Sequence, residues 1–171
     1  QVVFVVCLRG CIVFEPEYNN VEALRGLEDF DYVWLIWGFS ANEGKKVSST
    51  VRPPRLGGNE RVGVFASRSP FRPNRLGLSS VRLSHVEYNA SNGPLIHVLG
   101  ADLMDGTPIY DIKPYIPYAD AHPEALGGFA AVPAGETLEV LIPPDMLEKI
   151  PPERREALRG VRAQDLSPIN I

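Results

Sequence analysis

The apolar residues of this chain fall into short blocks separated by turn residues, and that spacing predicts strands rather than long helices. Gln1–Cys7 and Cys11–Phe14 read as strands. "DYVWLIWGF" reads as a fully buried one from its unbroken run of β-branched and aromatic residues. Between them, "EPEYNNVEALRGL" predicts a turn and a short helix, with Asn19 or Asn20 as N-cap, Glu22 in the first turn and Gly26 as the stop. A long polar connection, 41–60, carries Pro53, Pro54, Gly57 and Gly58, the marks of a shaped loop. Val62–Ala66, Ser79–Tyr88 and Leu95–Leu103 follow as strands, the last two split by the turn cluster "NASNG". "MDGTP" holds an Asp-Gly hairpin signal. Ile109–Lys113 is the returning strand, with Pro114 placing it at an end or an edge. "YIPYADAHPEALGG" reads as a structured loop and Thr137–Ile142 as a further strand. Pro144–Arg162 holds one helix starting near Asp145 and another over Pro152–Leu158. Many strands, few helices and frequent turns predict a mainly β fold, a compact β-barrel with a few short helices.

Composition alters this picture little. The chain has 171 residues, 44% hydrophobic and 22% charged, enough for one domain with a sizeable core. No apolar run reaches the length of a membrane span, and the apolar start lacks a basic leader and a cleavage site; no membrane is expected and a cytoplasmic location is. If Cys7 and Cys11 lie on one strand they face the same way and bridge poorly, so they read as buried free thiols. His85, His97 and His122 lack metal-ligand spacing, and no metal is expected.

Charge changes the picture more. The net charge is −4, yet residues 52 to 82 carry seven arginines (52, 55, 61, 68, 72, 75, 82) against the single acid Glu60. That stretch is +6 and the remainder −10, a local anion site on an otherwise acidic body. The plainer reading is a solvated basic face. Planar guanidinium forks in place of lysines favour phosphate or carboxylate. In "GVFASRSPFRPNRLGLSS", Pro70 and Pro73 stiffen the scaffold that carries Arg68, Arg72 and Arg75. Asn74 brings a donor and an acceptor, and Phe71 either stacks on a base or fills the core. Asp111, Lys113 and Tyr115, two apart on a strand, share one face opposite Ile112. They can position a polar substrate or move a proton, or form a solvent-facing ladder. The residues alone lead to a β-rich domain with an arginine-rich anion site.

Two long stretches, "TVRPPRLGGNERVGVFASRSPFRPNRLGLSSV" and "DLMDGTPIYDIKPYIPYAD", closely resemble the TsaA-like, or TrmO, family of tRNA methyltransferases, and "YNNVEALRGLEDFDYVWLIWGF" and "VRAQDLSP" extend the likeness over nearly the whole chain. The resemblance implies a compact β-barrel methyltransferase domain over 1–142, outside the usual mononucleotide fold, and a short helical extension over 143–171. It implies S-adenosyl-L-methionine as cofactor, a homodimer with the cofactor near its interface, and tRNA as partner, methylated at N6 of threonylcarbamoyladenosine (t6A) at position 37. Carried over residue by residue, it puts Arg68, Leu78, Asp102, Leu103, Met104, Asp105, Ser40 and Ala41 at the cofactor. Arg72, Asn74 and Arg75 fall on the substrate, and Asp111, Lys113 and Tyr115 form the catalytic wall.

The chain departs from the family pattern in three places. "CLRGCIVF" runs straight where the family has a cofactor-touching loop with a Pro-Arg-Gln element, leaving only Arg9 nearby. Ser40 of "FSA" stands where the family has a histidine. The chain ends at "DLSPINI" where longer members continue into a region that grips tRNA. These departures keep two other classes open, a non-catalytic RNA-binding module and a small-molecule methyltransferase on the same scaffold.

Overall fold

A computed structural model of the chain describes residues 8–91, 93–131, 142–152 and 155. The strands expected over Gln1–Cys7 and most of Thr137–Ile142, and the greater part of the second carboxy-terminal helix, lie outside the described residues. The strands are β1 (Arg9–Val13), β2 (Tyr32–Gly38), β3 (Thr50–Val51), β4 (Val62–Gly63), β5 (Leu76–Glu87), β6 (Leu95–Leu99) and β7 (Ile109–Pro114), with short helices α1 (Pro117–Asp120) and α2 (Pro144–Glu148). Five strands form one antiparallel sheet in the order β1-β6-β5-β2-β7, and β3 pairs with β4 in a separate ribbon. The fold is therefore mainly β with a few short helices. Among the described residues the sheet is open, with β1 and β7 at its edges.

One face of the sheet is the core. Val33 and Leu35 of β2, Val81, Leu83 and Val86 of β5, Ile96 and Val98 of β6 and Ile12 of β1 are all buried there, joined by Leu24 from a 3-10 turn. The core positions of β5 run 81, 83, 86 and not 81, 83, 85, because a bulge between Leu83 and His85 inserts one residue and restores the inward side at Val86. The connection before β2 is built from 3-10 turns, not an α-helix. Asn20 caps Val21–Leu24 by accepting the Glu22 N–H at 3.0 Å, and Gly26, at φ 81°, ends the turn. Glu28 ties this segment to β5 through the Val86 N–H and the Tyr88 hydroxyl, both at 3.1 Å.

Several expectations need correcting. β2 is buried on one face only, since Trp34 and Ile36 are half-buried on the other. β5 begins at Leu76, so the end of the arginine–proline stretch is strand. Val62–Ala66 is a two-residue strand followed by a 3-10 turn. β6 stops at Leu99, where Gly100 takes φ 78°. α2 starts at Pro144 with no side-chain cap. Cys11 is an exposed free thiol on the edge strand β1 and not a buried one; partial burial, and then the charge of Glu87, raise its pKa. Pro114 does end an edge strand. No helix of the described residues is long and apolar enough to cross a membrane.

Candidate functional site

The arginine–proline segment folds on its own hydrogen bonds. Ser67 Oγ donates to the Val64 carbonyl at 2.8 Å and accepts the Ser69 N–H at 3.3 Å, and Ser69 Oγ accepts the Phe71 N–H at 3.3 Å. Serine side chains thus replace the ladder that a strand would supply. The Arg72 guanidinium donates to the Ser67 carbonyl at 3.0 Å and lies 5.9 Å from the Phe65 ring centroid. Arg75 donates to the Lys45 carbonyl, while its Nε is buried without a partner. Two backbone bonds seat the loop on the 39–48 segment, Ser48 N–H to Phe71 O at 3.0 Å and Phe39 N–H to Arg75 O at 2.9 Å. Arg72 and Arg75 are therefore engaged in holding the loop. Asn74 is exposed at its tip.

Arg52 and Arg68 differ from these two. Both are exposed, and neither makes a hydrogen bond or ion pair among the described residues. Both line an open cleft of about 1420 Å³ between this loop, the Thr50–Pro54 segment and the turn at Gly127–Ala130. Among the described residues its walls include Phe65, Phe71 and Phe129 and no acidic residue. Phe71 is 36% exposed, so it faces the cleft instead of filling the core.

The sheet face opposite the core presents a second set of candidates in rows fixed by strand register. Leu78 of β5 pairs with Ile36 of β2, which pairs with Asp111 of β7. Ser80, Trp34 and Lys113 form the next row. Residues directly opposite in antiparallel strands share a face, so Leu78 and Asp111 stand on one surface with Ile36 between them, about 10 Å apart at two strand spacings. Asp111 and Lys113 share that face as the alternation requires and form an ion pair at 2.9 Å. The hydrogen bond from Lys113 lowers the Asp111 pKa, with help from the Ile112 N–H at 2.9 Å. Tyr115 lies against Trp34 and Tyr32, with ring centroids 5.6 and 6.2 Å away.

The sequence reading assigned no role to Asp120. Its carboxylate accepts the Ile116 N–H at 2.7 Å and the Trp34 indole N–H at 3.0 Å, and these bonds hold its pKa low. Asp120 thus fixes the segment after β7 against β2. Its place inside the "DIKPYIPYAD" stretch was the available signal. Arg52 and Phe65 were likewise missed; their signal was the arginine block itself.

The cofactor candidates divide between two places. Gly38 closes β2 opposite Leu76 and donates its N–H to the Pro108 carbonyl at 3.0 Å, so the end of β2, the start of β5 and the 100–108 loop meet there. Ser40 and Ala41 follow directly in a 3-10 turn. In the 100–108 loop Leu103 packs against the core and Asp102, Met104 and Asp105 face solvent. Thr107 bonds the Met104 carbonyl through its N–H and its hydroxyl, at 3.1 and 2.7 Å, and closes the turn. Ser40 lines a small cavity of about 260 Å³ with Arg75 and Tyr110, whereas Arg68 lines the large cleft, and no residue lines both. Among the described residues, no group of three or more His, Cys, Asp and Glu side chains is arranged to hold a metal ion.

The family model described as the tRNA-methyltransferase O N-terminal domain matches residues 1–121. A tRNA (adenine(37)-N6)-methyltransferase of Escherichia coli is 45% identical over 158 residues, covering 88% of this chain and 66% of that protein. One from Eikenella corrodens is 46% identical over 140 residues, covering 81% and 78%. A crystal structure of TrmO from Pseudomonas aeruginosa superposes with a TM-score of 0.60 at 38% identity, over 78% of this chain and 54% of that one. The chain thus spans just under two thirds of the Escherichia coli relative and about half of the solved structure.

Proposed function

The chain belongs to the family of the tRNA-methyltransferase O N-terminal domain, and from that premise we propose that it methylates N6 of adenosine 37 in tRNA with S-adenosyl-L-methionine, its natural target being t6A. The proposal places the enzyme in the cytoplasm. Its methyltransferase domain runs over 1–142 and the start of a small helical region over 143–171. The observation that carries the reading is the cleft beside the motif-bearing loop, where the described lining residues include two arginines without described partners and no acid. An anionic substrate is the occupant that such a lining favours.

The residues around Gly38 fit the cofactor. Leu78 is 56% and Met104 69% exposed, apolar surface suited to an adenine. Asp102 and Asp105 are exposed carboxylates beside them, suited to a sulfonium cation and to ribose hydroxyls. Ser40, Ala41 and Leu103 complete this proposed seat, whereas Arg68, which the resemblance also puts at the cofactor, lines the large cleft. When bound, S-adenosyl-L-methionine supplies a methyl group on a sulfonium whose departure as a neutral thioether needs no acid.

The protein's own task is then to position N6 and to accept its proton. Asp111 is ionised at neutral pH as any ordinary carboxylate is, and Lys113 lowers its pKa further. A carboxylate this weakly basic is sufficient, since an acylated nitrogen that has gained a methyl group is strongly acidic. Lys113 orients Asp111, and Tyr115, braced by Trp34, walls the site. Arg72 and Arg75 hold the loop in the shape that presents Asn74 and the cleft to the substrate, whose own carboxylate is the expected partner of an arginine there. The apolar sheet face at Trp34, Ile36 and Leu78 favours a homodimer that covers the cofactor.

Mass spectrometry of tRNA nucleosides from host cells with and without the gene tests the reading. The expected result is loss of N6-methyl-t6A and a matching rise of t6A. An unchanged nucleoside profile rejects the substrate and brings forward a binding module or a small-molecule methyltransferase.

A further inference from the structure

Resting on that reading, we infer that the large cleft is a seat for an unstacked anticodon-loop nucleotide flanking the methylated adenosine, distinct from the cofactor site around Gly38. At about 1420 Å³ the cleft exceeds the roughly 300–1,000 Å³ usual for small-molecule sites, so it suits a chain segment more than a metabolite. Three phenylalanines, two from the arginine–proline loop and one from the turn at Gly127–Ala130, converge on it: Phe65 at 75%, Phe71 at 36% and Phe129 at 38% exposure. Arg72 lies over the Phe65 ring, yet that ring is largely exposed, so a face remains open for a planar partner. Bases stack on such rings whatever their identity.

Charge and stiffness point to the same occupant. Arg52 and Arg68 stand in the lining with no partner among the described residues, and no acid is among the described residues of the lining. Guanidinium groups pair with phosphate through parallel hydrogen bonds. Pro53, Pro54 and Pro70 brace two of the walls, so little order has to be gained on binding. An apolar protein segment would leave two cations buried and unpaired, whereas a nucleotide supplies a ring for the phenylalanines and a phosphate for the arginines. Arg52, with Phe65 and Phe129, defines the seat.

The test uses a synthetic anticodon stem-loop RNA carrying 2-aminopurine in place of a base beside the target adenosine, titrated into the wild-type protein and into Phe65→Ala, Phe65→Tyr, Phe129→Ala and Arg52→Ala. Stacking in the cleft quenches the probe with wild type and Phe65→Tyr. Phe65→Ala and Phe129→Ala lose the quench and weaken RNA binding by about 5- to 100-fold, the range of one lost base–aromatic stack. Arg52→Ala lowers the slope of log affinity against log salt by about 0.7, one phosphate contact on a single strand. Binding of S-adenosyl-L-methionine stays unchanged in all four, which separates a lost RNA contact from a damaged fold. If the wild type methylates the RNA while Phe65→Ala and Arg52→Ala bind it within twofold of wild type, the seat is wrong and the methyltransferase reading stands. If the wild type neither binds nor methylates it, that reading falls and the seat with it.

Discussion

The arginine–proline loop and the five-stranded sheet hold their charged residues by opposite means. On the sheet, register does the work. Asp111 and Lys113 meet at 2.9 Å because alternation puts them on one face, and Leu78 shares their surface because β2 pairs with both β5 and β7. In the loop there is no ladder, and side chains bond to backbone carbonyls instead, Arg72 to Ser67 and Arg75 to Lys45. The consequence is a division of labour among residues that look alike. Arg72 and Arg75 hold the loop's shape, while Arg52 and Arg68 have no partner among the described residues. A residue's charge therefore says less about its role than whether its hydrogen-bonding capacity is already used.

Substitutions sharpen this contrast. The largest effect on stability belongs to the sheet. A Cβ at Gly77 would fall 2.3 Å from the Trp37 ring, its cross-strand partner, and Trp37 is also bonded to Ser79 at 3.0 Å. Gly77→Ala lowers unfolding free energy by about 1–3 kcal/mol in denaturant titration. An unchanged midpoint would mean that the ring can slide aside and that this face is loosely set. In the loop, Arg72→Ala lowers kcat/KM for tRNA more than tenfold, the scale of about 1.5–3 kcal/mol for a charge-assisted bond. It also speeds amide exchange over residues 67–71. Arg52→Ala leaves that exchange as it is, and equal exchange in the two variants would erase the distinction between holding and free arginines.

A smaller effect reads the sheet's electrostatics. The Asp111 pKa is lowered first by Lys113, so Lys113→Met moves its titration up toward the ordinary 3.8, as followed by NMR of the carboxyl carbon. The sign follows from the direction. A depressed carboxylate contributes stability at pH above its unfolded value and loses it as pH falls through the folded one, so the window lies below 3.8 and narrows in the variant. No movement would show that the ion pair is only loosely formed. The smallest effect is expected at Gly63, at the entrance to the loop. It has φ −59° and nothing within 4 Å of an added Cβ, so Gly63→Ala is neutral or stabilising by up to about 0.5 kcal/mol in the same denaturant titration.

Much was legible in the residues themselves. Short apolar blocks and turn clusters announce a mainly β chain because strand alternation and turn chemistry are local properties. Pro114 marks the end of an edge strand because proline cannot donate to a ladder. Asn20 and Gly26 mark a turn's limits for equally local reasons, although the turn is 3-10 and not α. The one-face placement of Asp111 and Lys113 needs only a period of two.

Other features depended on contacts between distant parts of the chain. "DYVWLIWGF" looks buried throughout, yet the described residues cover only one side of it, and what covers a face is set by the rest of the fold. Leu76 to Leu78 read as loop because of the prolines before them, but they pair with Gly38–Ile36 and become strand. The sequence by itself determined the fold class, the family and the concentration of arginines, since these rest on local pattern and residue identity. Only the tertiary structure decided which arginines are spent on carbonyls of Ser67 and Lys45, which have no partner among the described residues, and that Leu78, Ile36 and Asp111 share a row. Pairing across space fixes which donors and faces are used up, and no local rule of sequence encodes it.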